Sequence, residues 1–347
     1  MNISSHTIIR FLFLPWLFFS CISSAQNFRA QLKDPIAEKM LIFQRNDGGW
    51  PQYHGDRTIY TDNISAERLA QVQKDKILGD ATIDDGSTTD EIVYLLKTYQ
   101  KTENDAYLKA AEHGIEYLFE SQNSAGGWPQ KFPDLSGYHK HITYNDNAMI
   151  SVMKIVKDLS ENNTIYQPVA SALKEKAEHS LQRGIECILK TQYIQNGIKT
   201  AWGAQHDTLT LQPASARAFE PISLSGAETV GIVLFLKSLP DQRPEIVEAI
   251  EAATAWLIKV AIHDVRVEEI EAPELPRGKD RVVVASPGEV LWARFYDKDS
   301  NQPIFMGRDS IRKDHLAEIE PERRSGYAFL GKWPLYIPEV KSKFSNK

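Results

Sequence analysis

The strongest constraint on the fold is a five-residue phrase that occurs twice. It reads Gly48-Gly49-Trp50-Pro51-Gln52 and returns as Gly126-Gly127-Trp128-Pro129-Gln130. Looser echoes follow at Trp202-Gly203-Ala204-Gln205 and Gly331-Lys332-Trp333-Pro334. Each clear copy follows a helix-like segment. Two glycines allow a left-handed turn at a helix end, the proline resists continuation of a helix, and the tryptophan brings a large ring with one N–H donor. The two copies lie 78 residues apart and the next Trp-Gly comes 74 later. That is long for one solenoid repeat but suits two helices and an elaborate loop.

Helical spacing supports this period. Leu32, Ile36, Met40, Leu41 and Phe43 lead into the first copy, and 65–76 reads as a helix. Ile92, Leu95, Leu96 and Tyr99 share a stripe, and Tyr107, Leu108, Ala111, Ile115 and Leu118 mark a helix over 105–121 that ends at the second copy. Helices follow over about 148–159 and 169–189, then 224–239 and 245–262. Loop, helix, helix recurs three times. The expected fold is mainly α, an incomplete α/α toroid of paired helices with long loops forming a groove and a few short strands. The strands are expected only late, at 281–285 and as a hairpin over 291–305 around Asp297-Lys298-Asp299-Ser300-Asn301. The best linker candidate is 272–278, but the aromatic-rich segment after it reads as the same body, so 26–347 is one domain.

The formal net charge of −6 leaves no basic footprint and argues against nucleic acid as a partner. Residues 1–25 read as a signal peptide: Arg10, an apolar stretch over 11–19, and Ser23-Ser24-Ala25 before Gln26. The apolar run is too short for a membrane span. Secreted or periplasmic localisation is expected. Lipidation through Cys21 is disfavoured by the bulky residues just before it. Cleavage leaves only Cys187, which excludes an internal disulfide and a cysteine-based zinc site.

Three loops carry candidate chemistry. Asp84, Asp85, Asn145, Asp146 and Asn147 are hard oxygen donors, which together suit Ca²⁺ better than Zn²⁺. Taken singly, Asp85 and Asp146 precede helices, and on residue chemistry alone helix capping is the preferred reading. Arg217 lies between Ala216 and Ala218, to be either desolvated and aimed at a ligand or ion-paired with Glu220 or a repeat-closing aspartate. Arg294 and Arg308 would approach each other across the late hairpin, where arginines with tyrosines recognise carboxylates through forked hydrogen bonds. Surface ion pairs are the plain alternative. His206-Asp207 reads as structural. Oxygen ligands, arginines and exposed aromatic faces together suit a polymeric acid sugar.

In order along nearly the whole mature chain, the stretches 46–52, 82–89, 126–133, 143–149, 201–207, 216–221, 292–296, 303–309 and 326–333 resemble the catalytic module of pectate lyases of polysaccharide lyase family ten. The resemblance implies an α/α-toroid-like catalytic lyase domain that cleaves α-1,4-polygalacturonate (pectate) by Ca²⁺-assisted β-elimination and releases unsaturated oligogalacturonides. It implies Arg217 as the catalytic base and Asp84 as an essential acid near cation and substrate. Asp146 is then the main calcium ligand, with Asp84 beside it, and Arg294, Arg308, Asp85 and Tyr327 bind substrate. A monomer is expected. Two rivals remain: a glycoside hydrolase using Asp84 and Asp146 as paired carboxylates, and a non-catalytic pectin binder built on the tryptophan loops.

Overall fold

The computed structural model describes residues 32–53 and 55–345. The signal-peptide and Cys21 readings fall outside these residues. The helices run α1 Pro35–Phe43, α2 Ala66–Asp75, α3 Thr89–Thr102, α4 Asp105–Ser121, α5 Ala148–Ser160, α6 Ser171–Thr191, α7 Glu228–Lys237, α8 Pro244–Lys259, α9 Pro321–Gly326 and α10 Pro338–Ser345. The periodic stripes set their faces: Ile92, Leu95 and Leu96 of α3 and Tyr107, Ala111, Ile115 and Leu118 of α4 are all buried.

Consecutive helices pack as pairs, α3 with α4, α5 with α6 and α7 with α8. Like members also touch. The helices α3, α5 and α7 form one layer, and α1, α4, α6 and α8 form the other. This is the two-layer arrangement of an incomplete toroid. Helices α5 and α7 are apolar over most of their surface and bury most of their residues, as a helix covered by neighbours must.

The repeat is written in hydrogen bonds more clearly than in sequence. Gln44, Gln122 and Gln192 sit at the C-caps of α1, α4 and α6. Each side-chain amide donates to a carbonyl of its own loop and to one in the next helix of the layer: Gly48 and Ala110, Gly126 and Ser180, Thr200 and Ala249, all at 2.8–3.0 Å. Trp50, Trp128 and Trp202 are fully buried. Their indole N–H groups donate to Met40, Leu118 and Ile188 carbonyls at 2.8, 2.6 and 2.8 Å. The fourth equivalent is Trp292, fully buried and bonded to the Leu257 carbonyl at 2.7 Å. Trp333, expected as an echo, lies instead in a short 3₁₀ turn and is only half-buried.

The paired glycines do not end the helices. The C-cap glutamines have negative φ, and Gly48 and Gly126 come four residues later with φ of +97° and +90°. A Cβ there would stand 2.3 Å from the His113 or Arg183 carbonyl oxygen, so the glycines allow the loop to press against the next helix.

After α8 the chain leaves the repeat. Ile262–Glu271 and Lys279–Ala293 form a long antiparallel hairpin. Residues 272–278, the linker candidate, are its turn: the Ala272 and Gly278 backbones bond each other. This hairpin was expected only as a short strand near 281–285, because its alternation is diluted by charges. The expected turn at 297–301 does form, closed by the Tyr296–Pro303 bridge. It duplicates the turn at 207–211. In both, an aspartate (Asp207, Asp297) accepts from the backbone N–H two and three residues on and from a Thr or Ser hydroxyl.

Candidate functional site

Short strand pairings tie the loops at one end of the helix pairs together. The Trp50, Trp128 and Trp202 carbonyls accept from the backbone N–H of Thr82, Thr143 and Ser225. Three residues beyond each of these lies an acid: Asp85, Asp146 and Glu228. Asp85 and Asp146 adopt the left-handed conformation, φ 49° and 50°, inside matching 3₁₀ turns. Aspartate tolerates this better than most residues. Neither accepts a helix N–H. Residues Thr88 and Asn147 precede the helices, without a side-chain cap. The capping reading therefore fails, because the turn directs both carboxylates away from the helix ends.

They meet at one point. Carboxylate oxygens of Asp84, Asp85 and Asp146 lie within 4.8 Å of one another. The Asp84 Oδ1 atom is buried with no hydrogen-bond partner. Burial and the neighbouring Asp85 and Asp146 raise Asp84 to about 6. Asp85 is also raised, by burial and by Asp146, although Gln52 donates to it at 3.1 Å. Gathering three like charges is unfavourable unless a cation completes them. An all-oxygen donor set with an orphaned oxygen fits a hard divalent cation such as Ca²⁺.

Arginines close the other side. Arg294, nearly buried, donates to Asp146 at 3.2 Å and to the Tyr327 hydroxyl at 3.1 Å, and its Nη2 lies 3.5 Å from Glu228. Tyr327 in turn donates to Glu220 at 3.0 Å. Arg217 grips the same Glu220 through Nε at 2.9 Å and Nη2 at 2.6 Å. These two charge-assisted bonds push the Arg217 guanidinium above its ordinary range against the effect of burial. The flanking alanines do not enclose it: the side chain is 44% exposed. Of the two readings of Arg217, the ion pair is the one that forms. Arg308 is 59% exposed and held by Glu322 at 2.9 and 3.2 Å. It meets the others at the Phe219 ring, 5.9 Å away, which packs 5.2 Å from Tyr327. The two arginines expected to pair across the hairpin thus reach one aromatic cluster, each with its own carboxylate.

A pectic acid lyase family model matches residues 44–337. The chain belongs to that family. The lyase is similar to the solved structure of a family 10 polysaccharide lyase from Cellvibrio cellulosa, with 30% identity and a TM-score of 0.74 over 89% of this chain and 91% of that one. It is equally similar in fold to a mutant of that family 10 lyase, with an aspartate replaced by alanine, solved in complex with trigalacturonic acid (28% identity, TM-score 0.74, the same coverage). A comparison with curated proteins gives no match.

Three residues beside the candidate site escaped the sequence reading. Glu228 had a signal, since it repeats the offset from hydroxyl to acid seen at Thr82–Asp85 and Thr143–Asp146. Gln130, whose amide partners Asp84, belongs to the repeated phrase itself. Arg323 had none. His206 is structural, as expected: its Nδ1 donates to the Leu211 carbonyl and its Nε2 accepts from the Gly203 N–H, each at 2.9 Å. Burial lowers it to about 4, so the ring stays neutral.

Proposed function

We propose that this lyase acts on polygalacturonate by β-elimination, on a Ca²⁺ ion held by Asp84, Asp85 and Asp146. The observation that carries the reading is the three-carboxylate cluster with an orphaned Asp84 oxygen, faced by Arg294. The trigalacturonic acid bound by a related family 10 lyase supports the substrate class. When bound, the cation would supply positive charge to the substrate C6 carboxylate and to the enolate-like charge that develops as C5 loses its proton.

Arg294 holds a uronate carboxylate, with Tyr327 and Glu228 fixing its plane. Arg308 takes a second carboxylate at the exposed edge. Arg217 takes the C5 proton. The C5–H electrons form the C4–C5 double bond, the C4–O4 bond breaks, and water protonates the departing O4. Glu220 opposes this role by favouring the charged guanidinium, whereas burial disfavours it. The base role therefore belongs to a Glu220 contact loosened in the substrate complex, and it predicts faster turnover at alkaline pH. Secretion in a single catalytic domain places the enzyme where such a polymer is met.

Mass analysis of the products tests the reaction class. Elimination gives new non-reducing ends one water lighter than hydrolysis would give. Products at the hydrolytic mass overturn the lyase reading in favour of paired Asp84 and Asp146 carboxylates. Binding without any product leaves the non-catalytic reading.

A further inference from the structure

Three guanidinium groups surround the buried ring of Phe219: Arg217, Arg308 and Arg323, at 4.9, 5.9 and 4.6 Å from its centroid. The carboxylates beside them are already engaged. Glu220 takes Arg217, and Glu322 takes Arg308. Glu320 accepts the Arg308 backbone N–H. Arg323 is left over. Its side chain is only 12% exposed, its Nε is buried without a hydrogen-bond partner, and the one carboxylate within 4.0 Å among the described residues is Glu322, at that limit. A fourth cation stands nearby: a Cβ on Gly326 would lie 3.0 Å from Arg277 Nη1 and 3.2 Å from Arg323 Nη2. Burial, with Arg308 and Arg217 as neighbours, pushes the Arg323 guanidinium below its ordinary range. A desolvated cation without its own counter-charge is costly unless something completes it.

We propose that Arg323 is a further substrate-positioning residue, which forks a uronate carboxylate of the polymer on the Phe219 side of the site, one sugar or more away from the unit held by the aspartates and Arg294. This rests on the polygalacturonate reading above. Cation–π contacts with Phe219 and, at 5.3 Å, with Tyr327 restrain the guanidinium, which prepares it for a bidentate carboxylate. The competing role is purely structural, with Arg323 pinning the two rings by cation–π contact.

Steady-state kinetics of the Ca²⁺-loaded enzyme on polygalacturonate separate the two, using wild type, Arg323→Gln and Arg323→Lys with thermal midpoints measured beside them. Positioning predicts that Arg323→Gln raises KM roughly tenfold to hundredfold, with a much smaller fall in kcat, and that Arg323→Lys recovers part of the affinity. If the Arg323→Gln KM stays within about twofold of an active wild type, the proposal is overturned alone. It is overturned equally if KM, kcat and thermal midpoint worsen together and to the same extent in both variants. A wild type that forms no unsaturated product overturns the lyase reading and this inference with it.

Discussion

The acidic and the basic sides of the site are built in different ways. Asp85 and Asp146 stand at equivalent points of two repeats, each in a left-handed turn ahead of a helix in the same layer. Duplicating one backbone geometry brings two carboxylates to one point, and Asp84 adds a third. The basic side has no such symmetry. Arg217 comes from a long loop, Arg294 follows the long hairpin, and Arg308, Arg323 and Tyr327 belong to the chain after the repeats end. Glu228 marks the join. It repeats the position of Asp85 and Asp146, yet it faces Arg294 at 3.5 Å. The repeats thus gather the carboxylates, and most of the arginines come from the segment after the repeats, with Arg217 from a loop within them.

This division can be broken from either side. The largest expected effect is on the basic side: Arg217→Ala lowers kcat about 10²–10⁴-fold, as loss of a general base does. Arg217→Lys with near-normal turnover across pH would remove the base assignment. On the acidic side, Asp146→Ala lowers kcat about 10²–10³-fold, read from unsaturated product, and added Ca²⁺ restores little of it.

A stability measurement then probes the gathered charges directly. Asp84 is raised from 3.8 to about 6, so between these values the folded protein binds more protons than the unfolded chain. Metal-free stability therefore falls as pH rises from about 4 to 6. Asp84→Asn removes this penalty and stabilises the metal-free enzyme at pH 7 by up to about 3 kcal/mol. The gain shrinks as pH falls through 6 towards 4, and it shrinks when Ca²⁺ is added to the wild type. Denaturant titrations with a chelator across pH check this, and a gain independent of pH would contradict it. The smallest effect is on the frame that carries both sides. Trp128→Phe removes the indole bond to the Leu118 carbonyl, which keeps the Ser121 hydroxyl as a donor, and costs about 0.5–1.5 kcal/mol of stability, seen as a lower denaturation midpoint with kcat for polygalacturonate retained.

The same division explains what the sequence could reveal. Helix positions followed from apolar spacing, because each helix of the pairs buries a stripe. The acid cluster followed from residue types, although their capping role was misjudged. A left-handed turn at Asp85 and Asp146 is not written in the residues around it. Trp292 was hidden as the fourth anchor because a long hairpin separates it from its helix and it lacks the Gly-Gly prefix. Trp333 kept the proline and lost the environment. The ion pair of Arg217 with Glu220 was visible as one of two readings, and only packing against Tyr327 decided it. Arg323 could not be found from its neighbours in sequence, since its significance lies in which carboxylates other arginines have already taken.

The central claim is that three gathered carboxylates hold a cation that this lyase needs. It is tested most directly by following absorbance of the unsaturated product from polygalacturonate while a chelator is added and Ca²⁺ is then returned. The account predicts that wild-type activity disappears with the chelator and returns with Ca²⁺, whereas Asp146→Ala stays low throughout. Unsaturated product formed at an undiminished rate in the presence of chelator would contradict it.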